Sequence, residues 1–315
     1  MRYKLLPILL VGLLTSCSTN NPVIENKVFC FDTYVENRLY EGEQSNLDDI
    51  KEILEYYDRV SDNYKKREGI TIASIGEEKI VVEEKLYHLL KTSIEVSSKG
   101  AKYFNPLCGS LSKAWKESLA KKEVLSNDII TSELDKMNHT SLLLEDNFTA
   151  SKHGEGEIDL GGIVKGYAID EIKTYLNSNN ITKYLINAGF SSILLGKKNT
   201  EDGLFTVKIS DLNDAYIRLQ ECVISTSSKS VQGVKIGDIT YSHIVNPVTG
   251  QAINENDAVI VVSDSGALGD ALSTSMMMNT VDEIKTIEQE QNVKCIVIKN
   301  KQVMYCNEGL EITHG

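Results

Sequence analysis

The chain has 315 residues, 41% hydrophobic and 25% charged, which gives enough apolar material for a sizeable core and argues against disorder. Its 33 Lys and Arg stand against 45 Asp and Glu, a formal charge of -12, and no run clusters the basic side chains that phosphate contacts need, so nucleic-acid binding is excluded as a function class. Six cysteines form no CxxC pair and have no histidine at zinc-ligand spacing; the five beyond Cys17 sit beside apolar residues and read as small buried hydrophobes.

In chain order, Arg2 and Lys4 precede an apolar run from Leu5 to Leu14, a signal-type segment too short to span a bilayer. It ends in Leu14-Thr15-Ser16-Cys17, which resembles the bacterial lipoprotein processing site, where the cysteine is lipidated and becomes the new N-terminus. An ordinary secretory peptide with an incidental cysteine is the competing reading. The expected organisation is a signal at 1–17, a polar tether at 18–28 and one folded domain at 29–315, extracytoplasmic and anchored to a membrane without crossing it.

Leu47, Ile50, Ile53, Leu54 and Tyr57 recur at helical spacing, as do Leu86, Leu89, Leu90 and Ile94, then Leu107, Leu111, Trp115 and Leu119, so the first third reads as mainly helical. A helix is predicted from about Ile163 to Leu176. Beyond residue 180 short apolar or alternating runs read as strands: Tyr184 to Ile186, Ile193 to Leu195, Phe205 to Ile209, Tyr216 to Leu219, Ala258 to Val262 and Cys295 to Ile298. A further helix from about Leu268 to Met278 interrupts them, and Glu201 to Gly203 and Ser227 to Asp238 read as loops. The fold class expected is α+β, a single large domain of mixed, mostly antiparallel sheets with flanking helices.

Four segments carry residues suited to chemistry. In Glu157 to Ala168, Gly161 and Gly162 open a helix whose free amides suit an anion, with Lys165 as a point charge; a glycine-lined turn with a solvated lysine is equally compatible. In Thr240 to Gly250, His243 precedes a Pro-x-Thr-Gly turn, a place for a general base, although a lone histidine is more often structural. Asp270 and Thr274 lie four apart and share a helical face, an oxygen pair that suits magnesium, while a carboxylate capping free amides is the alternative. The turn Tyr103-Phe104-Asn105-Pro106 holds two aromatics and one of the four prolines.

Together these segments resemble the FAD:protein FMN transferase family, the ApbE-type flavin transferases, from about Phe29 to the C-terminus. The elements are Asp159 to Gly166 (Asp-x-Gly-Gly-x-x-Lys-Gly), Asn187-Ala188-Gly189-Phe190, Ser225-Thr226-Ser227, Ser242 to Gly250 and Gly269 to Thr274. The resemblance implies magnesium held by Asp270, Thr274, Ser273 and the Gly162 carbonyl. It implies FAD lying against Tyr103, Phe104, Asn105, Asp159, Lys165 and the Ile244 backbone, with Phe31 and Tyr64 as further contacts. Phe31-Asp32-Thr33 stands where the family has Met-Gly-Thr, Phe104-Asn105-Pro106 where it has Phe-Asp-Pro, and Phe190 where it has glycine, so the backbone at Phe190 is expected to avoid positive φ.

The implied reaction is attack of an acceptor protein's threonine hydroxyl on the FMN phosphorus of FAD, releasing AMP. His243 is the expected base, with Asp270 as rival. Asp270 is expected in a surface cleft, contributing little to the core. An FAD pyrophosphatase that uses water as nucleophile, and a non-catalytic flavin-binding lipoprotein, are the other readings, the second disfavoured by a metal pair that mere binding does not need.

Overall fold

Apolar side chains alternate with polar ones from Ile24 onward and again from Thr33 to Leu39, and this period of two makes the hairpin β1 (Ile24–Cys30) and β2 (Thr33–Leu39), with Val28 opposite Val35. The computed structural model describes residues 23–65, 67–230 and 233–315, so the signal segment with Cys17 lies outside the described residues. Two expectations change here. Strand β1 takes in residues 24–28, read as tether, and the first described element is a strand pair because the alternation of Val28 and Cys30, and of Val35 and Leu39, buries one face.

Helix α1 (Gln44–Val60) buries Leu47, Ile50, Leu54 and Tyr57, as their spacing predicts. The short strand β3 (Ile80–Val81), helices α2 (Glu84–Ser98), α3 (Gly109–Ala120) and α4 (Asn127–Asn138), and the hairpin β4 (Ser141–Glu145) and β5 (Thr149–His153) follow. Helix α5 (Val164–Ser178) leads into β6 (Tyr184–Ala188), β7 (Ser192–Leu195), β8 (Phe205–Lys208), β9 (Ala215–Leu219), β10 (Cys222–Ser228), β11 (Val234–Ile236) and β12 (Ile239–Tyr241). The chain closes with β13 (Ala258–Ser263), α6 (Gly266–Met276), α7 (Val281–Gln291), β14 (Lys294–Lys299), β15 (Gln302–Cys306) and β16 (Ile312–His314). The segment from Ser227 to Asp238, read as a loop, holds the end of β10 and all of β11.

One sheet dominates, in the order β1-β2-β6-β7-β10-β13-β14-β15, with every pairing antiparallel. Its interior strand β13 is buried along its whole length, and the two faces go to different layers. Val259, Val261, Cys295 and Val297 pack with the helices, whereas Ala258, Ile260, Ile296 and Ile298 pack against the three-stranded sheet β16-β9-β8. The α+β, mostly antiparallel architecture is therefore the observed one. All five described cysteines are free thiols, three of them buried.

On the helix-side face Ser192 on β7 and Ser225 on β10 sit directly opposite each other, both fully buried, and Ser227 follows on the same face of β10. Helix α6 comes close to the sheet there because Gly269 has no side chain; a Cβ at that position would stand 2.7 Å from the Ser225 hydroxyl. The β6–β7 turn corrects another expectation. Phe190 has φ +63 and follows Gly189 at φ +64 in a three-residue connection, Gly189 to Ser191, between Ala188 and its partner Ser192, and Phe190 is 71% exposed. The turn's register, set by the neighbouring strands, overrides the preference of a bulky residue for negative φ.

Candidate active site

Helix α5 starts at the glycine pair: the amides of Ile163 and Val164 both donate to the Leu160 carbonyl, and Asp159 Oδ1 accepts the Gly161 amide at 2.8 Å. The stretch before it is tied to the aromatic turn, since the Asp159 amide donates to the Pro106 carbonyl and the Gly109 amide to that of Glu157. The same turn is tied to α6, where the Tyr103 amide donates to Ser275 Oγ at 3.0 Å. Asn105 Oδ1 stabilises the turn by accepting the Leu107 amide, and Phe104 is buried with its ring against Gly162. A Cβ on Gly162 would stand 3.4 Å from Thr274 Oγ1, so glycine leaves a cradle between α5 and α6.

Asp270 lies at the bottom of that cradle, 7% exposed. Its Oδ2 accepts the Gly166 amide at 2.7 Å, its Oδ1 accepts Ser225 Oγ at 2.6 Å, and Ser192 Oγ bridges both oxygens at 2.9 and 3.0 Å. The Gly166 amide thus turns away from the Gly162 carbonyl four residues back, which is left without its helical donor. Burial pushes the Asp270 carboxyl up to about 6, opposed by Lys165 and by the Ser225, Ser192 and Gly166 donors. Thr274 Oγ1 lies 3.3 Å from Ser227 Oγ, while the Ser273 hydroxyl is spent on the Asp270 carbonyl and Ser227.

His243 enters from the loop after β12. That loop is rigid: Asn246 Oδ1 accepts the Val248 and Thr249 amides, Trp115 Nε1 donates to the Gly250 carbonyl at 2.7 Å, and Trp115 stacks on Tyr241. One face of His243 is open to solvent, yet protein packed round the ring and then the Lys165 ammonium push its pKa down to about 4. Lys165 therefore stands where Asp270 and His243 both feel its charge. The Ile244 amide donates to Ser242 Oγ at 3.0 Å, so any ligand contact there falls to the carbonyl.

Phe31 and Tyr64 lie farther out, on a shared rim. The Phe31 amide donates to Asp58, and the β1–β2 turn is joined to the Tyr64 loop by a Lys65–Asp32 ion pair of 3.2 Å. Asn63 reaches the Ile158 carbonyl at 2.7 Å, and Lys116 lies 4.0 Å over the half-exposed Tyr64 ring. Sequence reasoning missed Ser192, Ser225 as a partner of Asp270, and the Gly166 amide. The available signal was a serine at an inward position of otherwise apolar strands, which requires a polar partner. Among the described residues no three His, Cys, Asp or Glu side chains gather as a metal cluster, so a metal here would rest on one carboxylate and neutral oxygens.

The comparisons with known proteins agree with this geometry. The chain is similar to the FAD:protein FMN transferase of Chlamydia muridarum, 23% identical over 314 residues covering 93% of this chain and 96% of the relative. It is 24% identical to those of Rhodobacter capsulatus and Treponema pallidum, where the match spans only 45% and 62% of the relative's length. The fold matches the Vibrio cholerae flavin transferase ApbE with a TM-score of 0.73 at 19% identity, and the Thermotoga maritima ApbE protein with 0.75 at 20%, each over 93% of this chain and 97% of the other. The sequence profile of the ApbE family matches residues 31–297, and with its glycine-opened helix, buried aspartate and Pro-x-Thr-Gly loop converging on one cradle, the chain belongs to the ApbE family.

Proposed function

We propose that this chain transfers FMN from FAD to a hydroxyl, of threonine, on an extracytoplasmic acceptor protein, releasing AMP, with magnesium as cofactor. The observation that carries the reading is the meeting of Gly162, whose carbonyl is freed because Asp270 takes the Gly166 amide, with α6, where a Cβ on Gly162 would stand 3.4 Å from Thr274 Oγ1. An all-oxygen set with one carboxylate fits magnesium, which keeps waters and reaches substrate phosphates. Asp270, Thr274 and the Gly162 carbonyl would hold the ion, with Ser273 one layer behind them. Bound there, magnesium would neutralise pyrophosphate charge and stabilise the departing phosphate.

The chain's own residues do the rest. Lys165 binds the pyrophosphate as a point charge; the amides of Gly161, Ile163, Val164 and Gly166, expected from the sequence to be free for an anion, are already paired within the protein. His243, kept neutral, accepts the acceptor hydroxyl's proton as its oxygen bonds to the FMN phosphorus and the bond to the AMP oxygen breaks. The family's name for its relatives supports transfer over simple cleavage. Incubation with FAD and magnesium, with and without an acceptor carrying an exposed threonine, tests this. Flavin fluorescence fixed to the acceptor is expected. FMN and AMP alone would make the chain a pyrophosphatase, and intact FAD would make it a flavin-binding protein.

A further inference from the structure

Helices α5 and α6 meet at their first turns through two glycines. A Cβ on Gly166 would overlap the Gly266 carbonyl, and one on Gly266 would overlap the Gly166 carbonyl, so the backbones are in direct contact. Four residues after each glycine, on the same helix, stands an aspartate. Each aspartate accepts the amide of the other helix's glycine: Asp270 Oδ2 from Gly166 at 2.7 Å, and Asp170 Oδ1 from Gly266 at 2.6 Å. Asp170 Oδ2 also accepts the Ala267 amide at 3.0 Å and Ser265 Oγ at 2.8 Å. One member of this reciprocal pair lies in the site; the other has no part in the chemistry above.

First-turn amides are a helix's unpaired positive end, and a carboxylate there fixes both its position and its direction. The hydroxyl of Ser265, the N-cap of α6, accepts the Leu268 amide at 3.3 Å and its carbonyl that of Gly269, so the amides of Gly266 and Ala267 depend on Asp170. We infer that Asp170 is a positioning residue for the active site, holding the first turn of α6 so that Asp270 and Thr274 stand in register with Gly162 and Lys165 across the glycine contact. The inference rests on the metal reading above for its consequence and on the helix crossing alone for its geometry. Metal sites tolerate only small displacements of their ligands, so a first turn released by one bond is felt one turn later at Asp270.

The test compares Asp170→Ala and Asp170→Asn with Asn256→Ala in the full chain. Asn256 Nδ2 donates to the Met276 and Asn279 carbonyls, so it secures the opposite end of α6 and serves as a control of similar structural weight. Two readouts are taken well below the melting temperature: Mn2+ affinity by electron paramagnetic resonance, and hydrogen exchange of the Gly166 amide, which reports the Asp270 contact without metal or turnover. Asp170→Ala is expected to weaken Mn2+ binding by about 10-fold or more and to speed Gly166 exchange by a similar factor. Asp170→Asn, which keeps an acceptor oxygen, should recover part of both, and Asn256→Ala should change neither. Gly166 exchange equal in Asp170→Ala and the control overturns the inference. If the wild type binds no Mn2+ while Gly166 still responds to Asp170, the metal reading fails and the coupling of the two helices stands.

Discussion

At His243 the environment decides protonation. Crowding of the ring and the Lys165 charge both disfavour the imidazolium, so the base form persists as pH falls, and the pKa lies well below the ordinary 6.5, toward about 4. Two acid-side losses are therefore expected in kcat/KM, one near about 6 as Asp270 is protonated, relieved by raised magnesium, and one near about 4 as His243 is protonated, unmoved by magnesium; a magnesium-independent loss centred at the ordinary histidine value would assign the base elsewhere. His243→Ala should slow transfer by roughly 10² to 10⁴ with FAD affinity within a few-fold of wild type, whereas Lys165→Ala should weaken FAD binding itself. Loss of affinity and rate together in His243→Ala would make it a substrate contact. Asp270 calls for a different expectation from that of an open-cleft carboxylate. Asp270→Ala strands the Gly166 amide and the Ser192 and Ser225 hydroxyls in a dry site, each at about 1–3 kcal/mol, so it should lower the melting temperature as well as abolish turnover. Asp270→Asn retains an acceptor and should stay nearer the wild-type melting temperature while still losing turnover; full activity in either variant would remove Asp270 from the site. The spacing of Asp270 and Thr274 was readable from sequence as a shared helical face. The burial was not, because Ser192 and Ser225 arrive from 78 and 45 residues away.

At the scale of elements, the glycine crossing of α5 and α6 brings Gly162 close to Thr274. Gly166→Ala forces its methyl into the Gly266 carbonyl, which is backbone and cannot rotate aside, so the helices must part. The expected cost is about 1–3 kcal/mol in thermal or denaturant melts, with metal affinity lost along with it. Gly76→Ala, where an added Cβ meets nothing within 4 Å, should leave both near wild type and so isolates the effect of the crossing. Equal behaviour of the two variants would mean that the contact is slack. Helices with a clean apolar stripe, such as α1 and α5, were legible from periodicity, as was β13 from its run of β-branched residues. Helix α7 was not, because Ile284 and Ile287 are thinly spread among charges, and its plain signal was the Thr280 and Glu283 capping box. The hairpin of β1 and β2 was hidden by charged outward residues such as Lys27 and Glu36, which form an ion pair across the strands.

For the whole molecule the question is how the site meets its acceptor. Among the described residues no helix is long and apolar enough to cross a membrane. If Cys17 carries the lipid, the six residues from Ser18 to Val23 separate it from β1 and reach at most ~20 Å when fully extended. Strand β1 then runs about another 20 Å to the Phe31-Asp32 turn on the rim of the site. Such an anchor would confine transfer to acceptors held within some tens of ångströms of the bilayer. Expressed in bacteria, the full-length chain should sediment with membranes and show lipid on Cys17 by mass spectrometry. Cys17→Ala should appear in the soluble fraction or remain unprocessed. The released variant should still turn over FAD with magnesium, because the cradle is built by Gly162 to Gly166 and Asp270 to Thr274, far along the chain from Cys17, but should modify a membrane-embedded acceptor more slowly than the wild type does. A soluble wild-type protein bearing a free thiol at position 17 would remove the anchor, and equal rates on the embedded acceptor would show that tethering does not select the partner.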